Sequence, residues 1–522
     1  SGTVTLQAPA VAGSTTVTLP ASSMNMGNGG GSVATNTALG YQALNTNTTG
    51  YYNVAVGYQS LYNNTIGYIN TAVGHIALTA NTTGVANTAI GQQSLTANTT
   101  GSYNTAIGRA ALETNIVGSN NTAVGTNALN KNTADYNTAV GNSALSNNTT
   151  GTPNDAFGYQ ALYANTTGNL NVAVGYQALN GNTTGVGSTA VGAQTLRSNT
   201  IGSNNTAIGY NVLVGNTTGN YNVGVGGGTP GVTPSTLQSN TIGSYNTAVG
   251  NAALSANTTG ESNVAVGYQA LQSNVTGYQN VAVGPQVLQT ATGNYNVAMG
   301  SVAGGTTTGG NANVFLGYAA GYTTTTGSNN VLIGVNAGNP GTTNLTTGQN
   351  NIIIGANAGP GSATLNNQIV MGVGISGNGA GYFTFGQASN IVYNQFTVNA
   401  SWTRSSDVRL KTDIQDDTIG LDFIEKVKPR TFKWKSSKDV PQELTNHYSE
   451  EETMDTESVM NGFIAQEVKE ALDAGNYGVQ GVWSVEPDGT QAVSREMFIT
   501  PLINAVKELS ARVKELEAKI NA

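Results

Sequence analysis

Cysteine is absent from the 522 residues. Neither disulfides nor thiolate metal sites can hold the fold, so packing and hydrogen bonding must. Charge is nearly absent from most of the chain. Before residue 401 the only bases are Arg109, Lys131 and Arg197, and the only acids are Glu113, Asp135, Asp155 and Glu261. Three bases cannot follow a phosphate backbone, which argues against a nucleic-acid partner. Glycoside hydrolysis needs two carboxylates about 5–10 Å apart, and four acids at different phases of a repeat do not supply that pair. A calcium-binding solenoid needs Asp in every coil, which is also missing. Histidine is limited to His75 and His447, so no histidine-based triad is indicated. No run of about 20 apolar residues exists, which leaves no helical membrane span. No cofactor and no metal are expected. The chain begins at Ser1 without Met, so a fragment or a processed product is expected.

What is present is glycine, 69 residues of it, with abundant Asn and Thr. Such a composition alone points to low complexity, but a strict period overrides it. Asn recurs at 36, 53, 70, 87, 104 and 121, each 17 apart, and the series continues to 351. The consensus is N-T-A-V-G-Y-Q-A-L-x-x-N-T-T-G-x-x. Two units are one residue short, at 121–137 and 280–296. One unit carries a seven-residue insertion around Pro230 and Pro234, and another is four residues longer near Pro340.

A 17-residue unit is too short for a helical hairpin. Its glycines and β-branched residues fit one coil of a β-solenoid, which predicts a mostly β fold. Some nineteen coils at about 4.8 Å each give a rod on the order of 90 Å. Ala38, Ala55, Ala72, Ala89 and Ala106 are expected to point into a narrow interior. Leu44, Leu61, Leu78, Leu95 and Leu112 form one apolar ladder, and Val56, Val73, Ile90, Ile107 and Val124 form another. Gly40, Gly57 and Gly74 mark corners. Asn47, Asn64, Asn81 and Asn98 form an amide ladder. So small a coil cannot enclose both apolar ladders. One stays wet in a lone rod, from which chain association, as a homotrimer, is inferred. Tyr41 with Tyr58, and Tyr159 with Tyr176, share a phase. Such aromatic ladders pack between coils or offer a glycan contact.

Four regions follow: N-terminal connector strands in 1–31 (Thr3–Gln7, Thr15–Leu19), the solenoid shaft in 32–372, a closing β segment in 373–403, and a charged region in 404–522. The closing strands are expected at Tyr382–Phe385 and Phe396–Val398. The charged region holds 37 of the 44 charged residues when taken from 401. It reads as a small α+β domain. Leu421–Val427 is expected to be a short helix, Lys428–Trp434 an extended stretch, and Glu443–Glu457 an acidic loop. A second helix follows Asn461–Val468. Ile503, Val506, Leu509, Val513, Leu516 and Ile520, spaced by three and four, form a terminal coiled-coil seam.

Ser406-Asp407-Val408-Arg409-Leu410-Lys411 opens this region. It resembles, with the L-x-x-I-x-x-V-K-P-x-x-F-x-W run from Leu421, Gly462–Val468 and the terminal helix, the self-cleaving intramolecular chaperone domain of endosialidase-type phage tail spikes. The resemblance implies a domain that trimerises, guides folding of an upstream β-fibre and cuts itself off once. It implies Ser406 as nucleophile, Lys411 as base and the Ser405–Ser406 bond as the cut. A serine needs such a base, and a lysine serves if burial brings its pKa toward neutrality. Asp407 and Arg409 are read as structural. The implied partners are two further copies of the chain, other virion tail proteins and a host-surface receptor, with a glycan as one form. The implied location is the virion, after synthesis in the host cytoplasm. A bacterial trimeric surface adhesin with a non-cleaving chaperone domain is the competing reading.

Overall fold

The computed structural model describes residues 35–522 apart from 230, 389, 396–402, 405–406, 443, 445–447, 449, 451–455, 479–480 and 486–488. The chain divides into two compact units, Ser1–Ser405 and Ser406–Ala522. The expected strands at Thr3–Gln7, Thr15–Leu19 and Phe396–Val398 lie outside the described residues.

The first unit is a β-solenoid. Each coil contributes one short strand, from Thr37–Leu39 to Ile369–Val373, and each pairs in parallel with the strand one coil on. The register places equivalent residues on each other, as in Val54↔Thr71, Ala55↔Ala72 and Val56↔Val73. Tyr382–Gln387 continues the stack as a further parallel rung, although the sequence period is already lost there. Asn390–Gln395 and Thr403–Arg404 then pair antiparallel. They cover what would otherwise be an open sheet edge.

Strand alternation sorts the side chains. The middle residue of each rung, Ala55 or Ala72, is fully buried, while Val54, Val56, Thr71 and Val73 face outward and are half-buried. Leu44, Leu61 and Leu78 fill the interior from the opposite wall. Of the two expected apolar ladders, the leucine one is therefore the core. The Val/Ile one is on the surface, with Ile90 and Ile107 among its exposed members.

Two amide ladders run through the interior. Asn64 Nδ2 donates to Asn47 Oδ1 (2.9 Å) and Asn81 Nδ2 to Asn64 Oδ1 (2.8 Å). The second uses the Asn that marks the period. Asn70 Nδ2 donates to Gly84 O (2.9 Å), and its Oδ1 accepts the Asn87 backbone N–H (2.9 Å). Both one-residue-short coils interrupt the first ladder, leaving Asn115 Oδ1 and Asn274 Oδ1 buried without a partner among the described residues.

The corners demand glycine where coils touch. Gly57 has φ +131°, and a Cβ there would lie 2.4 Å from Gly74 O. Elsewhere the coil accepts left-handed backbone at ordinary residues, including Gln59 (φ 51°) and Leu61 (φ 51°). Each costs about 1–2 kcal/mol. The alternation turns successive N–H groups toward opposite neighbours. Gln59 N–H donates back to Tyr41 O, and Leu61 N–H donates forward to Ala77 O. Both donors are thus paired despite the unfavourable backbone.

The second unit is small and α+β. Helix α1 spans Leu421–Lys426, α2 Ala465–Ala474 and α3 Ile499–Asn521. The expected extended stretch supplies Arg430–Phe432, which pairs with Met460–Gly462. Phe498 stacks on Phe463 (4.7 Å) and Phe423 (5.8 Å), and Val468, Leu472 and Val482 close the core. The first half of α3 is tied down: Asn504 Nδ2 donates to Ile419 O (3.0 Å), and Leu421 N–H donates to Glu508 Oε2 (3.3 Å).

Candidate functional site

The chemistry read from the sequence centres on residues 405–411. Ser405 and Ser406 lie outside the described residues. From Asp407 onward the local structure is clear. Asp407 caps a single 3-10 turn, Val408–Leu410, by accepting the Arg409 backbone N–H at 2.9 Å. The Arg409 guanidinium returns to the same carboxylate, Nε–H to Oδ1 at 3.0 Å and Nη2–H to Oδ2 at 2.6 Å. That side-chain pairing first, and the backbone bond second, hold the Asp407 carboxyl below its ordinary range. The geometry assigns Asp407 and Arg409 to shaping the turn. The turn ends at Lys411, whose backbone N–H donates to Val408 O at 3.1 Å.

Lys411 itself is exposed, and so are Val408, Leu410 and Ile414. A lysine acts as a general base after it is removed from water. Among the described residues Lys411 stays in contact with water, and the three exposed apolar side chains within these seven residues are suited to meeting a further surface.

Sequence reasoning did not find a cleft of about 730 Å³ in the second unit. Phe432, Trp434, Pro441, Leu444 and Phe463 supply its apolar wall, and Arg495 also lines it. These residues come from four separate segments, so no local motif announces them. Near it, Arg430 clamps Glu467, with Nε–H to Oε2 at 2.9 Å, and the guanidinium lowers the Glu467 pKa.

In the solenoid, Tyr41 stacks on Tyr58 at 5.5 Å and Tyr58 on His75 at 5.3 Å. Tyr159 stacks on Tyr176 at 5.4 Å. The rings lie nearly parallel, each covering one face of its neighbour, and the four tyrosines stay 45–54% exposed. The shaft acids Glu113 and Asp135 are engaged locally. Glu113 Oε2 accepts from Asn130 Nδ2 (2.8 Å), and Asp135 Oδ1 accepts the Ser119 backbone N–H (2.6 Å). Among the described residues no three His, Cys, Asp or Glu side chains gather as a metal site. His447 lies outside them.

Residues 406–476 match the family model described as chaperone of endosialidase. The match opens at the first residue of the second unit. It stops before α3. No curated protein and no solved structure gives a significant match. The chain thus joins a β-solenoid to an endosialidase-type chaperone domain, a pairing that fits a tail fibre.

Proposed function

We propose that this chain is a structural fibre of a phage tail, that it serves attachment to a host surface, and that its second unit aligns three copies, guides their folding and then leaves by cutting the Ser405–Ser406 bond. The observation that carries the reading is the chaperone-family match starting at residue 406, directly behind a solenoid built of near-identical coils.

The physical need for an alignment device is specific. Neighbouring rungs of the solenoid are nearly alike, so two chains displaced by one coil would fit almost as well as two in register. A separate element must fix the register. Helix α3 has the form of one. With Leu502 in place of the expected Ile503, the set Leu502, Val506, Leu509, Val513, Leu516 and Ile520 alternates by four and three along one face and is 46–81% exposed. From Val506 onward every residue of α3 is exposed. A lone helix end of this length is marginal in water and gains stability from partner helices.

The cut would be a single-turnover acyl transfer. The Ser406 hydroxyl attacks the Ser405 carbonyl carbon, and its proton passes to the neutral Lys411 amine. The C–N bond to Ser406 breaks, its nitrogen takes a proton, and water resolves the ester. Partners on this reading are two further copies of the chain, other virion tail proteins and a host receptor, with a glycan as one form. Among the described residues no helix is long and apolar enough to cross a membrane. The bacterial adhesin with a non-cleaving chaperone domain remains the competing reading. Denaturing electrophoresis tests the cut. Wild type should yield chains of 405 and 117 residues, and Ser406→Ala a single full-length chain. Wild type that folds and stays whole would overturn self-cleavage.

A further inference from the structure

The shaft has one long apolar surface that its own chain leaves uncovered. On each of the twenty strands from Thr37–Leu39 to Ile369–Val373, the first and third positions (counted from Thr138, Asp155 and Val172 where the strand starts one residue earlier) point outward, making two parallel columns. The third position is Leu, Val, Ile, Phe or Met on every rung. The first is mostly Thr, with some Val, over the early shaft and is only Val or Ile from Val264 onward. Asp155 is the one charged residue in either column. In the single chain these side chains are half-buried to exposed, Met299 at 53% being an example.

We infer that this outward strand face is the surface along which parallel copies of the chain pack in register, and that the Val/Ile stretch from Val264 to Met371 is its tight part. The inference deepens the fibre reading above and rests on it. Twenty rungs at about 4.8 Å and a width of about 10 Å give roughly 950 Å² per copy. A standard stable interface takes about 800 Å² per partner, and the largest apolar patch on a typical monomer covers roughly 300–600 Å².

The form of the surface selects its occupant. Two straight columns with a single charge between them, repeating at the rung spacing, are complementary to a surface with the same repeat. Another copy of the shaft provides that surface. β-branched side chains on flat strands interdigitate and exclude water as a dry ladder. The opposite wall lacks this uniformity. There the residue after the inward-facing one changes chemistry from coil to coil, as Tyr62, Thr79, Thr96, Glu113 and Tyr322 show.

The lack of native cysteine makes the test clean. Full-length chains carrying either Val314→Cys (outward face) or Tyr322→Cys (opposite wall) each hold one thiol, to be joined by a short bismaleimide. Sedimentation first establishes the assembly state. The expected result is an oligomer in which Val314→Cys gives a crosslinked band on a denaturing gel and Tyr322→Cys stays single. An oligomer in which Val314→Cys fails to crosslink, or Tyr322→Cys crosslinks as readily, would overturn the face while leaving the fibre reading intact. A monomer at all concentrations would overturn both. In a second comparison, Val281→Asp with Val314→Asp should raise the dissociation midpoint concentration at least tenfold more than Thr71→Asp with Thr105→Asp. A smaller difference would overturn the assignment of the tight part.

Discussion

Gly321 lies against the ring of Phe315: a Cβ on Gly321 would sit 2.4 Å from Cδ1 and 2.5 Å from Cε1. Gly304, one coil earlier, meets the other edge, where a Cβ would be 2.6 Å from Cδ2. In ordinary coils the strand carries Ala and the facing wall Leu, as in Ala282 and Leu288. Near the end of the shaft the order is reversed, with Phe315 and Leu332 on the strand and Gly321 and Gly338 opposite. A similar trade occurs at Val212 and Gly224, where a Cβ on the glycine would be 2.6 Å from Val212 Cγ1. The interior volume is conserved while its source changes wall.

This exchange predicts a coupled pair. Phe315→Ala should cost about 3–5 kcal/mol by cavity formation. Gly321→Leu alone should cost about 1–3 kcal/mol by overpacking. The double variant recreates the ordinary coil and should recover more than half of the summed loss. Urea denaturation followed by far-UV circular dichroism checks it, and strictly additive losses would contradict the exchange.

The interior amides give a second expectation. Asn70→Ala removes the acceptor of the Asn87 N–H and one of the two side-chain donors to Gly84 O, which keeps Asn81 Nδ2 (3.1 Å), all in the dry interior. The orphaned Asn87 N–H costs about 1–3 kcal/mol. Asn115 already lacks a partner at Oδ1 among the described residues and makes its bonds through Nδ2, to Asn98 Oδ1 and Gly118 O. Asn115→Ala should therefore lower the denaturation midpoint less than Asn70→Ala.

Much of this shaft was legible in the sequence, because a solenoid repeats its physics every 17 residues. The inward Ala, the Leu ladder, the Asn47–Asn98 ladder and the corner glycines each show as a column of one residue type. The period-marking Asn was legible as a marker, yet its second role, bonding Gly84 O across the coil, depends on a 14-residue closure that spacing does not reveal. The Phe315–Gly321 exchange breaks both columns at once and reads as lost consensus until the two walls are seen face to face. At the candidate site, sequence supplied the Ser406–Lys411 pattern. The exposure of Lys411 was not legible, since nothing in six residues says whether a neighbouring surface covers them.

That exposure leads to a prediction about Lys411. If its amine takes the Ser406 proton, Lys411→Arg should abolish the cut, because a guanidinium stays protonated. The variant should still assemble, since the positive charge is kept. Cleavage of wild type should also depend on assembly: a Val513→Asp, Leu516→Asp chain should stay whole on a denaturing gel. Cleavage by a demonstrably monomeric chain would show that Lys411 needs no second surface.

Acid should loosen the second unit. Glu467 is held below its ordinary pKa first by the Arg430 hydrogen bond, and Asp422 first by the Lys426 hydrogen bond. A lowered folded-state pKa stabilises the fold above the unfolded-state value and loses that contribution as pH falls through the folded value. Stability should thus drop below the ordinary carboxylate range, and Glu467→Gln should flatten part of the slope. Trp434 and Trp483 lie in the second unit and Trp402 in the first, so tryptophan fluorescence in a Trp402→Phe background follows this transition without a signal from the first unit.

The seam of α3 carries a direction as well as a surface. With Val506, Val513 and Ile520 at the a positions and Leu502, Leu509 and Leu516 at d, Arg512 falls at g and Glu517 at e of the next heptad. In a parallel assembly each Arg512 then faces Glu517 of a neighbouring helix. Within one helix they are five apart and do not meet. Arg512→Glu should therefore place like charges together and weaken assembly. Glu517→Arg alone should do the same, and the double exchange should restore it. Exposed pairs contribute only about 0.2–1 kcal/mol each, so the shift belongs in the sedimentation midpoint rather than in a loss of folding. A double variant no better than the single ones would mean that the helices do not run parallel.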